Sequence, residues 1–318
     1  MRTLVQLPAM AGLLLAILGP GTAAQAQLSR TFVSAATGND ANNCDRPTPC
    51  RTFQGAHDKT NDLGEMIVLD PGGYGGLTIT KSISIVNDGV GETSILVSGG
   101  TVGIRVNAGA ASYVNLRGIT IQGIGFGGGS GLGFNSGFSL TMTNCVIRNH
   151  TGPGIAFGPA GDGRLAVSNT LVADNGGSGI SVNPGGAGAV RVSLDRVETY
   201  NNSLHGIFVD GEFSGGTVNV TVADSVMASN SGAGVRANSN QSQSSSTQVM
   251  VVRSVAAHNV VGLYAQGPTA TLRVSQSTVT GNNVSWSAFG SAVLASYRDN
   301  NIDGNLDGDP APLAIITK

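Results

Sequence analysis

Three residues that could bind a sugar recur at intervals of 28 positions: Phe208, Arg236 and Tyr264. Aromatic rings pack against the C–H faces of sugars, and an arginine binds a carboxylate in a fork of two hydrogen bonds. If the interval is a structural repeat, the three side chains form one outward row. This row predicts a binding site for an acidic polysaccharide. The alternative is that the neighbouring segment 237–248 covers the row.

A second set of polar and aromatic residues lies one position before each of several recurring asparagines. Its predicted ligand-binding members are Arg148, Asp174, Tyr200 and His258, and Ser229 falls in the same position. The alternative is a surface row without a ligand. In that case an exposed Arg148–Asp174 pair on neighbouring coils would contribute about 0.2–1 kcal/mol.

The segment "DNNIDGNLD", residues 299–307, resembles the first half of a calcium loop. Asp299, Asn301, Asp303 and Asp307 fall at ligand positions, but Pro310 stands where the bidentate glutamate belongs. The segment is therefore interpreted as an Asn- and Gly-rich turn. Calcium remains a weak alternative, and no other cofactor is indicated.

Composition limits the classes of function. The chain has 318 residues, a formal net charge of -2 and only 11% charged residues, so it lacks the basic surface that nucleic-acid binding requires. Hydrophobic residues make up 40%, enough for a core, and the 48 glycines indicate many tight turns.

The first 26 residues have the pattern of a secretory signal peptide, with Arg2, an apolar run and an A-x-A site that ends at Ala26. A membrane anchor is the alternative, but Pro and Gly interrupt the run and no later segment has transmembrane length. We therefore expect a secreted or periplasmic protein without a membrane span. In that oxidising setting, Cys44 and Cys50 are expected to form a local disulfide, while Cys145 is expected to be a buried thiol.

A repeated pattern of short apolar run, asparagine, Gly-rich turn and second apolar run extends along most of the chain. Its recurring asparagines are separated by 23 to 29 residues: Asn149, Asn175, Asn201, Asn230, Asn259 and Asn282. Such a period with short strands predicts a solenoid of three strands per coil, in which successive coils pair in parallel. The asparagines are expected to stack in an amide ladder. The apolar residues four positions before them, including Leu171 and Val226, are expected to point inward.

The chain resembles the right-handed parallel β-helix proteins of the pectin-lyase-like superfamily. The resemblance covers roughly Thr31 to the C-terminus and is carried by "TFVSAATGNDANNCDRPTPCRTFQGA", "GEMIVLDPGGYGG" and the repeats. It implies an all-β, single-stranded, right-handed parallel β-helix of about nine coils. The predicted organisation is a signal peptide at 1–26, an N-terminal cap with a short helix near 51–60 at 27–64, and the β-helix at 65–318.

This resemblance also implies possible activities, since the superfamily includes pectate lyases, polygalacturonases and uronan epimerases. The segment "SLHGI" around His205 is similar to a His-Gly motif of the polygalacturonases, but the acidic motifs that accompany it there are missing, so His205 is interpreted as a turn residue. We identify no catalytic constellation. The leading hypothesis is polysaccharide binding. The alternatives are a polysaccharide lyase or hydrolase, and a structural or adhesive solenoid.

Overall fold

A computed structural model describes residues 28–124, 129–239 and 246–315. The predicted signal peptide and its cleavage site lie outside these residues. Within them, no helix has the length and hydropathy to cross a membrane.

Short strands make up most of the described chain. In chain order the elements are β1 (Leu28–Val33), α1 (Phe53–Lys59), β2 (Thr60–Val68), β3 (Gly72–Gly73), β4 (Leu77–Ile79), β5 (Ile83–Val86), β6 (Thr93–Val97), β7 (Ile104–Asn107), β8 (Tyr113–Arg117), β9 (Thr120–Gly123), β10 (Leu132–Ser136), β11 (Ser139–Thr143), β12 (Val146–Arg148), β13 (Ile155–Phe157), β14 (Gly163–Ala173), β15 (Ile180–Val182), β16 (Val190–Tyr200), β17 (Ile207–Asp210), β18 (Thr217–Ala223), β19 (Val226–Ala228), β20 (Ala233–Asn238), β21 (Ser246–Val252), β22 (Val255–Ala257), β23 (Val261–Gln266), β24 (Ala270–Ser275), β25 (Thr278–Thr280), β26 (Val284–Phe289), β27 (Val293–Ser296), β28 (Asn301–Ile302) and β29 (Leu313–Ala314).

These strands form two parallel sheets that wind into a right-handed β-helix. The second sheet contains nine described strands, in the order β26-β23-β20-β17-β15-β13-β10-β7-β4, and the other strands form the first sheet. Successive strands of the second sheet delimit eight full turns, in line with the expected nine or so coils. Each coil pairs in register with the next, so equivalent residues lie in straight rows about 4.8 Å apart.

The first sheet bends sharply within each coil. In β14 the bend falls at Asn169, whose φ of 47° lies in the left-handed region that asparagine tolerates. Asn169 thus adds one residue at the bend and reverses the inward–outward alternation of the strand. As a result Thr170 and Val172 are buried, while Leu171 is half-exposed. The prediction that Leu171 and Val226 point inward is therefore wrong, whereas Cys145 is buried at 2% exposure.

The predicted amide ladder is present, but two of its predicted members are not part of it. Its members each donate through the backbone N–H and Nδ2 to Oδ1 of the next: Asn175, Asn202, Asn230, Asn259, Asn282 and Asn305. Asn201 instead occupies the left-handed turn one residue earlier, with φ 52°, and is exposed. Asn149 is at the corresponding turn, and the buried His150 follows it.

Each end of the ladder has its own termination. At the first end, the backbone N–H of His150 donates to Asn175 Oδ1 at 3.2 Å. At the last end, Asp309 Oδ1 accepts from the backbone N–H and Nδ2 of Asn305 at 3.0 and 2.7 Å. The ladder therefore ends on a residue that only accepts.

The N-terminal segment covers the first edge of the solenoid. Helix α1 buries Phe53 and Ala56, and Gln54 Oε1 accepts from the N–H of Thr78 on edge strand β4 at 2.9 Å. β1 pairs in parallel with β2, so the predicted boundary at residue 64 falls inside β2. A disulfide joins Cys44 and Cys50 within this segment, with their Cα atoms 4.7 Å apart.

Candidate functional site

The row predicted from the 28-residue interval lies on the outer face of the second sheet. Phe208 on β17 pairs with Arg236 on β20, which pairs with Tyr264 on β23. Their chain neighbours Val209 and Ala237 are fully buried, so strand alternation turns the three side chains outward. All three are half-buried rather than fully exposed.

The guanidinium of Arg236 is held between the two rings. Its Cζ lies 5.1 Å from the ring centroid of Phe208 and 5.2 Å from that of Tyr264, which is cation–π geometry. Gln266 Oε1 accepts from Arg236 Nη2 at 2.7 Å and from the Tyr264 hydroxyl at 3.1 Å. One face of each ring is thus occupied by the arginine, and the rings orient the cation.

His205 provides a further nitrogen next to this cation. Its Nδ1 accepts from the Ala233 N–H at 2.8 Å, so Nε2 carries the proton of the neutral ring. Burial, followed by the charge of Arg236, lowers the pKa of His205 to about 4. Nε2 lies 3.2 Å from Arg236 Nη1, which also has only hydrogens to offer.

This part of the row therefore has more donors than acceptors. In addition to the opposed Nε2–H and Nη1–H groups, Arg236 Nε is buried and has no partner among the described residues. A buried donor without an acceptor is unfavourable by about 1–3 kcal/mol. A ligand with a negatively charged oxygen would supply the missing acceptor.

Two carboxylates lie beside the row. Asp210 Oδ1 accepts from Asn238 Nδ2 at 2.8 Å and from the Glu212 backbone N–H at 3.1 Å. Asn238 Nδ2 also lies 3.5 Å from Glu212 Oε2. Arg236, Glu212, Asn238, Gln266 and Phe289 surround a hollow of about 200 Å³. The hollow thus combines one fixed cation, Arg236, with the carboxyl group of Glu212, a type of group that can accept or donate a proton.

Sequence reasoning missed four residues of this cluster and took a fifth, His205, for a turn residue. The four are Asp210, Glu212, Asn238 and Gln266. A signal for three of them was available, because Asp210, Asn238 and Gln266 are separated by the same 28 residues and form the adjacent row. Of the segment predicted to cover the site, residues 240–245 lie outside the described residues.

The second predicted set does not form one row. Arg148 on β12 and Tyr200 on β16 are the partners of Ala173 on the two strands that flank β14. Asp174 and His258 instead occupy left-handed turns, with φ of 56° and 57°. Arg148 and Asp174, the ion pair of the alternative interpretation, do not form an ion pair with each other. Arg148 donates to Gln122 Oε1 at 3.0 and 3.1 Å, and Asp174 accepts from Asn201.

The residues of the calcium-like segment are directed to different partners. Asp299 Oδ2 accepts from Ser275 Oγ, Asp307 Oδ2 accepts from Ser285 N and Oγ, and Asn301 lies in β28. No group of three or more His, Cys, Asp or Glu side chains that could hold a metal ion occurs among residues 28–124, 129–239 and 246–315.

Comparisons with known proteins agree with this geometry at the level of fold. Residues 131–307 match the family model described as "Right handed beta helix region". Similar solved structures include pectate lyase Pel9A, with a TM-score of 0.60 and 16% identity over 91% of this chain and 80% of that one. The AlgE6 A-module of a mannuronan C-5 epimerase from Azotobacter vinelandii has a TM-score of 0.57 and 15% identity, over 79% and 70%.

A pectin methylesterase from carrot has a TM-score of 0.53 and 12% identity, over 90% of this chain and 88% of that one. No curated protein matches the chain in sequence. At these identities the similarity establishes the fold.

Proposed function

Because this chain belongs to the right-handed β-helix family, with the pectin-lyase-like fold, we propose that it uses an outward row of that helix to bind an acidic polysaccharide. The binding residues are Phe208, Arg236 and Tyr264, together with His205. The cation of Arg236 takes a carboxylate of the polysaccharide, and the free edges and faces of the two rings contact neighbouring sugars. The row spans three coils, or roughly 10 Å, which suits about two sugar units.

The donor excess around Arg236 is the observation that carries this proposal. Arg236 Nε has no acceptor, and Arg236 Nη1 faces the Nε2–H of His205. A carboxylate satisfies such donors with charge-assisted hydrogen bonds, which are stronger than neutral ones. The rings and Gln266 hold the guanidinium before a ligand arrives, so binding loses little side-chain entropy.

Similarity of fold supports the class of ligand. The solved structures of similar fold are named for enzymes of pectate, mannuronan and pectin, which are polysaccharides. The carboxylate requirement comes from this chain's own residues. We also propose that residues 1–26 are removed after export, so that binding takes place in the periplasm or outside the cell.

The test is a calorimetric titration of the full chain with trigalacturonic acid and with a mannuronic acid trimer, using maltotriose as the neutral comparison. At least one acidic trimer is expected to bind, and Arg236→Gln should weaken that binding by about tenfold or more. The matched control is Arg273→Gln, since Arg273 holds Gln248 on the first sheet as Arg236 holds Gln266 on the second. Equal binding by wild type and Arg236→Gln, or no preference over maltotriose, would overturn the proposal.

A second candidate function, a polysaccharide lyase or hydrolase, is favoured by the Asp210–Asn238–Glu212 cluster. Two carboxylates joined through one amide, beside an arginine, are groups that general acid–base catalysis uses. Incubation with the same polysaccharides should then produce new reducing ends or unsaturated sugars. Glu212→Gln should abolish that product while retaining binding. A chain that binds without turnover is a binding protein.

A further inference from the structure

We propose that a second glycan-binding row runs along the outer face of the first sheet, through Tyr113, Ser139, Arg164 and Arg191, and that it takes an anionic oligosaccharide. The four residues occupy paired positions on β8, β11, β14 and β16. With about 4.8 Å per coil, Tyr113 and Arg191 are roughly 14 Å apart along the helix axis. This length suits about three sugar units.

An aromatic corner forms one end of the row. Tyr113 is 49% exposed, and its ring meets that of Phe138 edge to face at a centroid distance of 5.4 Å. The Arg164 guanidinium lies 4.8 Å from the Phe138 centroid. The two rings, with Pro159 and Asp162, border a cleft of about 530 Å³. Phe138 is half-buried and Tyr113 is exposed, and aromatic rings that border a cleft of this size suit the C–H face of a sugar.

The charge of the row specifies the ligand. Arg164 and Arg191 are exposed neighbours on adjacent coils, and like charges opposed in a sheet are unfavourable. Neither forms an ion pair with a carboxylate in the part of the chain that the structure describes. Asp162 Oδ1 accepts from the Ala189 N–H at 2.8 Å instead. A carboxylate or sulfate placed between the guanidinium groups would remove their repulsion and form charge-assisted hydrogen bonds with both.

This site is independent of the row of Phe208, Arg236 and Tyr264, called the Arg236 row below, because it lies on the other sheet and rests on different residues. The same charge could attract a uronic acid or a sulfated sugar, so the experiment uses both. Full-length chain is titrated with trigalacturonic acid, with a heparin-derived tetrasaccharide and with maltotriose. The variants are the double substitution Arg164→Gln/Arg191→Gln, Tyr113→Ala, and the control Arg105→Gln, an exposed arginine of the second sheet.

At least one anionic oligosaccharide is expected to bind Arg236→Gln, and the double substitution in that background should weaken this binding by about tenfold or more. Tyr113→Ala should weaken it too, whereas Arg105→Gln should not. Loss of binding in Arg236→Gln alone, or binding that is unaffected by the double substitution, would overturn the second site. A change in sedimentation of the double variant without loss of glycan binding would show an interface between copies and would also overturn it. If Arg236→Gln still binds an anionic oligosaccharide and the added double substitution removes that binding, the second site is supported. This holds even if the Arg236 row itself binds nothing.

Discussion

The asparagine ladder and the Arg236 row are built in the same way, but they differ in whether their hydrogen-bond donors have acceptors. Both place one residue per coil in a straight line, the first inside the solenoid and the second outside it. In the ladder, the Oδ1 of each asparagine from Asn202 to Asn305 receives two hydrogen bonds from the preceding asparagine, and Asp309 accepts the last two. In the Arg236 row, donors remain without acceptors. A row that satisfies itself stabilises the fold, whereas a row that does not can bind something else.

The largest effect is expected from breaking the ladder in its middle. Asn230→Ala leaves the backbone N–H and Nδ2 of Asn202 without their acceptor. Two buried donors at about 1–3 kcal/mol each predict a loss of about 2–6 kcal/mol in the free energy of unfolding. Urea denaturation followed by circular dichroism measures it.

Its control is Asn201→Gly, one residue outside the ladder. Asn201 is exposed, and glycine accepts its φ of 52° without strain. This substitution should change the free energy of unfolding by less than about 0.5 kcal/mol. Equal losses in the two variants would mean that the ladder contributes no more than the turn.

Acid should weaken the end of the ladder. Hydrogen bonds from Asn305 lower the pKa of Asp309 in the folded chain. A carboxyl group with a lowered folded pKa stabilises the protein above its unfolded pKa, and this stabilisation disappears as the pH falls through the folded value. Asp309→Asn should therefore reduce the loss of stability in the acid range. Melting curves from pH 5 to about pH 2 test this, and identical slopes for both proteins would contradict it.

His205 should give the Arg236 row its own pH dependence. Its folded pKa of about 4 lies below the ordinary value of 6.5. Between these values the unfolded chain binds more protons, so stability should fall as the pH drops from 6.5 to 4. His205→Gln should remove part of that fall, as measured by thermal unfolding at a series of pH values, with the exposed His258→Gln as control. A wild-type slope retained in His205→Gln would show that folding does not change the pKa of this ring.

Arg236→Lys should affect binding much more than stability. Lysine keeps the charge but loses the planar fork that lies between the two rings and holds Gln266. We expect a change of less than about 1 kcal/mol in the free energy of unfolding, together with weaker binding of the acidic trimer. A loss of stability as large as that of Asn230→Ala would place this row with the ladder as a structural element.

The smallest effect is expected from removing divalent ions. Pro310 replaces the bidentate glutamate of a calcium loop, and Asp307 accepts hydrogen bonds from Ser285. Adding EDTA should leave the melting temperature unchanged. A drop that calcium reverses would contradict this and restore the segment 299–307 as a metal site.

The sequence predicts rows well and predicts single positions poorly. The 28-residue interval placed Phe208, Arg236 and Tyr264 in register, because strand pairing depends on spacing alone. The ladder was misplaced by one residue at Asn201, where "NN" offers two candidates and the positive φ of the first decides. That the guanidinium of Arg236 lies between two rings depends on side-chain conformation, which spacing does not encode.

Asp309 also limits how the molecule could grow. A further coil inserted between Asn175 and Asn305 would bring an asparagine whose Oδ1 accepts from the coil before it and whose Nδ2 donates to the coil after it, as the ladder asparagines between them do. A coil appended beyond Asp309 would meet a carboxylate that has no hydrogen to donate. Whole coils could therefore be duplicated or deleted within the ladder. A coil added after Asp309 would instead require a residue that can donate a hydrogen bond in place of this aspartate.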